Sequence, residues 1–246
     1  MQAVFWHTMG EVMILAGTGL ARRVCAAVAD CDVLASLAGV TEVPCDLEVP
    51  TRIGGFGGEA GFRAALEGVS AVLDVTHPFA ARVTERTVRI CREMGVPYLR
   101  LQQPPWPNDP TWHVHATTAA AADAIPTGAR VFLSTGPGSL VPFLQRGLHL
   151  WCRRIDHAPT RDGVTWIVAR PPFTEDGERA LFALLGVTHL VSKNAGGARA
   201  KLDAARDLGL AVHMIARPKD PGGEESHDID RAIAFVRHHS ADRDRR

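Results

Sequence analysis

The chain reads Val-Met-Ile-Leu-Ala-Gly-Thr-Gly-Leu-Ala-Arg over residues 12–22, and this stretch decides the fold class. An apolar run ends in a glycine-containing turn, and a helix-like pattern follows at once. Backbone N–H groups and the positive end of the helix dipole can hold a phosphate at such a turn. Gly17 and Gly19 supply part of the dinucleotide pattern G-x-G-x-x-G, but Arg22 stands where the third glycine would be. The stretch predicts a βα unit suited to a phosphate, with a plain tight turn as the alternative.

The same rhythm of apolar run, turn and helix-like stretch continues along the chain. Further candidate strands are 33–37, 71–75, 97–101, 131–134, 151–155, 166–169, 190–192 and 212–216, and candidate helices are 20–29, 59–67, 79–94, 118–124, 175–185, 199–208 and residues near 228–238. Such units build mostly parallel sheets with helices on both faces, because parallel neighbours need a right-handed crossover. We therefore predict an α/β protein.

Four prolines in residues 104–110 interrupt this pattern. Proline fixes φ and removes a backbone donor, so the segment cannot form regular structure. We place a domain boundary there, which predicts an N-terminal domain at 1–103 and a C-terminal domain at 104–246.

Composition excludes several classes of protein. The 246 residues are 46% hydrophobic, and 27 basic side chains balance 27 acidic ones, which removes the field expected of a general nucleic-acid binder. The longest apolar run is far shorter than the roughly 20 residues of a membrane span. Five cysteines without a C-x-x-C pair argue against a zinc or redox motif and suit a reducing compartment. The sequence therefore predicts a cytoplasmic protein without a resident metal, and it leaves the oligomeric state open.

Polar or glycine-rich loops follow the predicted strands, at the edge where α/β sheets bind ligands. In the first half these loops are residues 36–40 and 74–79; in the second half they are 134–139 and 192–197. The four-glycine segment 53–58 precedes a predicted helix and is expected to fold against a ligand or another backbone, with a flexible surface loop as the alternative. Residues 36–40 hold neither the acidic side chain typical of NAD sites nor the basic one typical of NADP sites.

His77 and Lys193 are two candidate functional side chains in these loops. His77 stands at the predicted ligand edge, where it could titrate near neutrality or serve as a structural cap. Lys193 is one of three lysines, and the following Asn194, Gly196 and Gly197 could help it to hold an anion.

The whole string of motifs resembles the precorrin-6A reductase family of cobalamin biosynthesis. The matching pieces, in family order, are Gly17-Thr18, 36–39, 52–58, 74–80, Arg100-Leu101 with 104–106, 131–136, 169–173, 192–194 with Gly196-Gly197, Lys201-Leu202 and 215–218. The resemblance implies two Rossmann-like domains with a ligand cleft between them. It also implies an NADPH-dependent oxidoreductase that reduces one double bond of precorrin-6A to give precorrin-6B, with NADH as a possible substitute.

The resemblance also assigns site residues. The cofactor would meet Gly17, Thr18, Gly19, Ser36, Leu37, Gly39, Gly54, Gly55, Thr76 and His77. The tetrapyrrole substrate would meet Thr135, Gly136, Lys193, Asn194, Gly196, Gly197 and Lys201. The proton would come from His77, from Lys193 or from solvent.

Three departures separate this chain from the family pattern. Ala16 and Leu20 replace the first glycine and the acid of the family's G-G-T-x-E turn, and Ala195 replaces a serine. Val40 stands where an arginine commonly follows Ser-Leu-Ala-Gly, so an obvious partner for the 2′-phosphate of NADP is missing.

Other functions stay open at this point. The cobalt-precorrin-6A reductases of the anaerobic branch are related, and a non-catalytic nucleotide- or tetrapyrrole-binding module would share the loops. A short-chain oxidoreductase needs a Tyr-x-x-x-Lys pair, whereas Tyr98 is followed by Gln102 at that spacing.

Overall fold

The structure is a computed structural model that describes residues 10–39 and 46–240, so Val40 lies outside the described residues. The strands are β1 Glu11–Leu15, β2 Val33–Leu37, β3 Thr51–Ile53, β4 Val69–Asp74, β5 Tyr98–Leu101, β6 Trp112–His115, β7 Arg130–Leu133, β8 His149–Arg154, β9 Thr165–Val168, β10 His189–Lys193, β11 Ala211–Ile215 and β12 Glu224–Ser226. The helices are α1 Gly19–Ala27, α2 Glu59–Ala65, α3 Ala81–Met94, α4 Thr118–Asp123, α5 Glu175–Leu185, α6 Ala200–Asp207 and α7 Ile229–His239, with two 3-10 turns at Pro137–Ser139 and Val141–Phe143.

The chain forms two units. The first comprises the described residues of Met1–Gln103 and Lys219–Arg246, and the second is Pro104–Pro218. The predicted C-terminal domain, 104–246, differs from this division after residue 218. Strand β12 pairs with β5, and α7 packs on β4 and β5, so the last part of the chain completes the first unit.

The first unit contains a six-stranded sheet in the order β12-β5-β4-β1-β2-β3. All of its pairings are parallel. Met13 and Ile14 on β1 point to opposite faces and are both fully buried, which explains the continuous apolar run of this strand. The strand order reverses between β1 and β4, and α/β sheets bind ligands at the carboxyl ends of the strands at such a point.

The second unit repeats the design. Its sheet has the order β6-β11-β10-β7-β8-β9, again with only parallel pairings. The core includes Phe132, Phe182 and Leu190, and the order reverses between β7 and β10. The predicted α/β class with two Rossmann-like, parallel sheets is confirmed.

In the described part of the chain, no helix combines the length and apolar character needed to cross a bilayer. No group of three or more His, Cys, Asp or Glu side chains among residues 10–39 and 46–240 could hold a metal ion.

Four histidines cluster in the second sheet. The ring centroids of His113, His115 and His189 lie 5.1, 5.2 and 5.5 Å from that of His213. His213 is 3% exposed, and its Nδ1 lies 3.0 Å from Nε2 of His115. Burial, followed by the proximity of the other three imidazoles, lowers the pKa of His213 to about 4. The folded second unit therefore disfavours protonation of this ring.

We expect the protein to lose stability as pH falls from 6.5 toward 4, because the unfolded chain then binds a proton that folded His213 rejects. Full stabilisation by neutral His213 is present above pH 6.5. A His213→Phe variant should lose about 2 kcal/mol less unfolding free energy than the wild type between about pH 7 and about pH 5. Urea unfolding at the two pH values measures this difference. His149→Asn, an exposed substitution on β8, is the control, and equal pH slopes for His213→Phe and wild type would contradict the prediction.

Candidate functional site

The Thr18 hydroxyl joins the loop after β1 to the loop after β4, at the point where the first sheet reverses its strand order. Thr18 caps α1, because its Oγ1 accepts a hydrogen bond from the backbone N–H of Ala21 at 3.3 Å. The same Oγ1 donates to the carbonyl oxygen of Val75 at 2.9 Å. The first turn of α1 contains no acidic side chain. The turn predicted from residues 12–22 thus presents a helix N-terminus that suits an anion.

A cavity of about 370 Å³ opens beside this turn in the first unit. Eight predicted cofactor residues line it: Gly17, Ser36, Leu37, Gly39, Gly54, Gly55, Thr76 and His77. Thr18 and Gly19 are not among its lining residues. The other lining residues, which were not assigned to the cofactor from the sequence, are Leu15, Ala16, Ala38, Phe56, Ala80, Val83 and Arg86. The structure therefore brings most of the predicted cofactor residues together around one cavity.

Arg52 holds one wall of the cavity in place. Its Nη1 donates to Ser36 Oγ at 2.7 Å and to the Gly54 carbonyl at 3.0 Å, and its Nη2 donates to the Gly55 carbonyl at 2.9 Å. Its guanidinium also lies 4.0 Å from the centre of the Phe56 ring. Burial lowers the pKa of Arg52, although an arginine stays charged at neutral pH. Arg52 thus places a cation at the end of β2.

The four-glycine segment rests closely on α2. A Cβ built on Gly61 would overlap the carbonyl oxygen of Phe56 and lie 2.9 Å from its carbonyl carbon. The rings of Phe56 and Phe62 meet edge to face, with centroids 4.8 Å apart. Gly61 is therefore the residue that allows the segment to approach the helix.

A buried carboxylate orders the loop after β4. Asp74 is fully buried, and its Oδ1 accepts hydrogen bonds from the backbone N–H and the hydroxyl of Thr76 at 2.9 and 2.6 Å. Its Oδ2 accepts from the Tyr98 hydroxyl at 3.1 Å. Burial and this carboxylate raise the pKa of Tyr98 far above its usual value. Asp74 therefore holds the loop that carries Thr76 and His77.

His77 is exposed at the rim of the cavity. Its Nδ1 accepts a hydrogen bond from the backbone N–H of Phe79 at 3.2 Å. Neutral His77 consequently carries its ring proton on Nε2. Both sequence interpretations fit this geometry, because the ring caps the turn and keeps a proton that it could donate.

The equivalent loops of the second unit are tied to the loop 102–111. Both polar side-chain atoms of Asn194 bond to Trp106, with Oδ1 accepting from its N–H at 2.8 Å and Nδ2 donating to its carbonyl at 3.1 Å. Trp106 Nε1 donates to the Gly197 carbonyl at 2.8 Å. Arg217 also donates to the carbonyl oxygens of Asn194 and Ala195 at 2.8 and 3.0 Å. The Asn194 side chain therefore fixes the loop after β10 to the backbone of Trp106.

The predicted substrate residues lie at the carboxyl end of the second sheet or on the helix that follows. Thr135 and Gly136 follow β7, Lys193 ends β10, and Asn194, Gly196 and Gly197 come after it; Lys201 lies on α6. The Thr135 hydroxyl is buried and has no hydrogen-bond partner in the described part of the chain. Burial lowers the pKa of Lys193. Burial also lowers the pKa of Lys201, to about 8, and its Nζ lies 4.8 Å from the centre of the Trp106 ring.

A buried ion pair lies in the same unit. Nη2 of Arg153 on β8 lies 2.8 Å from Oε1 of Glu178 on α5, and the two side chains are 10% and 2% exposed. The Arg153 guanidinium stacks on Phe173 and Phe132, at 4.0 and 4.8 Å from the ring centres. Sequence reasoning missed this pair, because the partners are far apart in the chain and neither belongs to a recognisable motif.

Comparisons with known proteins are consistent across the chain. The model of the family Precorrin-6x reductase CbiJ/CobK matches residues 11–237. The precorrin-6A reductase of Rhodobacter capsulatus is 37% identical over 246 residues, which covers 95% of this chain and 98% of that protein. A solved structure of CobK precorrin-6A reductase has a TM-score of 0.88 and 37% identity, and the match covers 96% of this chain and 99% of the other. The cobalt-precorrin-6A reductase of Priestia megaterium is 30% identical over 170 residues, which covers 62% of this chain and 67% of that protein.

Proposed function

Because the chain belongs to the precorrin-6x reductase CbiJ/CobK family, we propose that it reduces precorrin-6A with a hydride taken from NADPH. It is an oxidoreductase of cobalamin biosynthesis that acts on a tetrapyrrole intermediate. The match to precorrin-6A reductases spans more of both chains than the match to the cobalt-precorrin-6A reductase, which favours the metal-free substrate. The free cysteines of the described residues suit the cytoplasm as the place of the reaction.

The first-unit cavity fits the adenosine half of a nicotinamide dinucleotide. It lies at the carboxyl ends of the strands where their order reverses, which is where such cofactors bind. A Cβ on Gly17, Gly54 or Gly55 would meet nothing within 4 Å, so these glycines leave space for a ligand. This position of the cavity is the single observation that carries the cofactor proposal.

The charge of the cavity supports NADPH over NADH. None of its fifteen lining residues is acidic, whereas NAD sites use a carboxylate on the adenosine ribose. Arg86 lines the cavity, and Arg52 is bonded to Ser36 in its wall. Two guanidinium groups near the ribose position favour a cofactor that carries an additional phosphate.

The second-unit loops suit the acidic periphery of the macrocycle. Lys193 and the backbone of Gly196 and Gly197 follow a buried strand, and the buried Thr135 hydroxyl has no partner among the described residues. Ammonium, hydroxyl and backbone N–H groups are the partners that carboxylates take in proteins. We propose that these loops bind substrate carboxylates, while Asn194 positions its loop through Trp106.

The residues of this chain orient the reactants and move a proton. When bound, NADPH supplies the hydride, and the reduced macrocycle must also gain a proton. Holding the reacting atoms roughly 3–3.5 Å apart lowers the activation free energy by on the order of 7–11 kcal/mol. Asp74 fixes the loop of His77 through Thr76, and His77 carries a proton on Nε2. We propose His77 as the proton donor, with Lys193 as the second candidate.

Replacing His77 with alanine is expected to lower kcat by about 100-fold or more, because the proton donor is lost. The dissociation constant of NADP⁺ should change by less than about threefold, since loss of one neutral contact has a small effect on binding. Steady-state kinetics and isothermal titration measure the two quantities. His77→Asn is the matched variant, because asparagine can still accept from the N–H two residues on and so keeps the cap. Wild-type turnover in His77→Asn would assign His77 a capping role only.

The proposed function is tested by mixing the protein without oxygen with precorrin-6A and either NADPH or NADH. We expect oxidation of the nicotinamide and a matching change in the macrocycle spectrum, faster with NADPH. If the nicotinamide is oxidised only when cobalt-precorrin-6A is supplied instead, that compound is the substrate. If NADH is oxidised faster than NADPH, NADH is the cofactor. Binding without any oxidation would instead support a carrier of nucleotide or tetrapyrrole.

A further inference from the structure

We propose that Arg86 recognises the 2′-phosphate of NADPH and thereby sets the preference for NADPH over NADH. This inference rests on the proposed cofactor site. The family pattern has an arginine at the position of Val40. In this chain, an arginine on α3 would take over that role.

Arg86 is a cation in the cavity wall whose hydrogen-bonding capacity is not used up. It lines the cavity, and its Nε is buried without a hydrogen-bond partner among residues 10–39 and 46–240. Its guanidinium lies 4.4 Å from the centre of the Phe62 ring and 5.8 Å from that of Phe56. Aromatic rings hold the guanidinium in place but offer no lone pair to its N–H groups.

Glu59, the acid that acts on Arg86 electrostatically, does not neutralise it. Glu59 favours the charged form of Arg86, but burial opposes it more strongly and lowers the pKa. Glu59 itself forms ion pairs with both Arg63 and Arg89. A half-buried guanidinium whose Nε has no partner among the described residues gains free energy from an anionic ligand, and phosphate oxygens match its planar fork of donors.

Arg52 cannot take this role alone, because its position is already fixed by other partners. Its two Nη atoms donate to Ser36 Oγ and to the carbonyl oxygens of Gly54 and Gly55. Ser36 and Arg86 line the same cavity, and Ser36 is the penultimate residue of β2, near the strand end where the adenosine ribose binds in folds of this type. Arg86 is therefore the cation best able to form new hydrogen bonds with a phosphate on that ribose.

The test compares two small probes that differ by this phosphate, 2′,5′-ADP and 5′-AMP, by isothermal titration with the full chain. We expect Arg86→Gln to weaken 2′,5′-ADP binding by about 10- to 100-fold, as for a lost charged hydrogen bond. Binding of 5′-AMP should weaken by less than about threefold. Arg86→Lys should bind 2′,5′-ADP better than Arg86→Gln. The ratio of kcat/KM for NADPH to that for NADH should fall together with 2′,5′-ADP affinity.

Arg82→Gln is the matched control, because it removes an exposed guanidinium one turn earlier on α3 and outside the cavity. Its 2′,5′-ADP affinity should equal that of the wild type. If wild-type protein binds 2′,5′-ADP and Arg86→Gln binds it equally well, the role of Arg86 is overturned while the cofactor proposal stands. If both probes weaken equally, Arg86 does not read the phosphate. If wild-type protein binds neither probe nor NADP⁺, the proposed cofactor site itself falls.

Discussion

Replacing Gly61 with alanine is expected to destabilise the protein, although alanine is the better helix former. In an exposed helix this change stabilises by about 1 kcal/mol. Here the added methyl group would overlap the Phe56 carbonyl oxygen, so the four-glycine segment must move. Overpacking of this kind costs about 1–3 kcal/mol. Because Gly54, Gly55 and Phe56 line the cavity, kcat/KM should also fall by about 100-fold.

Thermal unfolding and steady-state kinetics with NADPH measure the two effects of Gly61→Ala. The matched change is Gly138→Ala, which adds the same methyl group where nothing lies within 4 Å. That variant should unfold near the wild-type temperature. A Gly61→Ala protein that is more stable than the wild type would show that helix propensity outweighs the close approach.

Glu178→Gln is expected to lower the unfolding free energy by about 3–5 kcal/mol, because it leaves the Arg153 charge buried without its partner. Both side chains are almost inaccessible to water, and two aromatic rings stack on the guanidinium. The melting temperature should fall by about 10 °C. Differential scanning calorimetry measures the change.

Glu175→Gln on the same helix provides the comparison. Glu175 pairs with Arg179 in an exposed position, and such pairs contribute about 0–1 kcal/mol. Its melting temperature should therefore stay close to that of the wild type. Equal losses in Glu178→Gln and Glu175→Gln would mean that burial does not determine the strength of the Arg153–Glu178 pair.

The central strands could be predicted from sequence, whereas the edge strands β3 and β12 could not. Strands β1 and β4 are buried on both faces, so their side chains form apolar runs that are visible without a structure. Strands β3 and β12 have only three residues each and carry polar side chains. Strand β12 reads Glu-Glu-Ser, which has no strand-like pattern, and only its pairing with β5 defines it.

The same distinction applies to the cavity. Most of its loops could be predicted, because the loops after β1, β2 and β4 follow predicted strands and sheets of this class bind ligands at that edge. The four-glycine segment stands out by composition alone. The two arginines at or beside the cavity could not be predicted. Arg52 comes from an edge strand that has no periodic signal, and Arg86 belongs to a helix whose pattern indicated only one buried face. The sequence therefore predicted the loops that line the cavity better than the charged side chains beside them.

The position of β12 in the first sheet constrains how the protein can be made. During synthesis, β1 to β5 emerge first, but their neighbour at the edge emerges only after Pro104–Pro218 has been translated. At ribosomal speed this delay is roughly 6–20 s, during which the backbone groups of β5 that β12 will later pair have no partner strand. A gene cut after codon 103 would leave the nascent sheet in that unfinished state permanently.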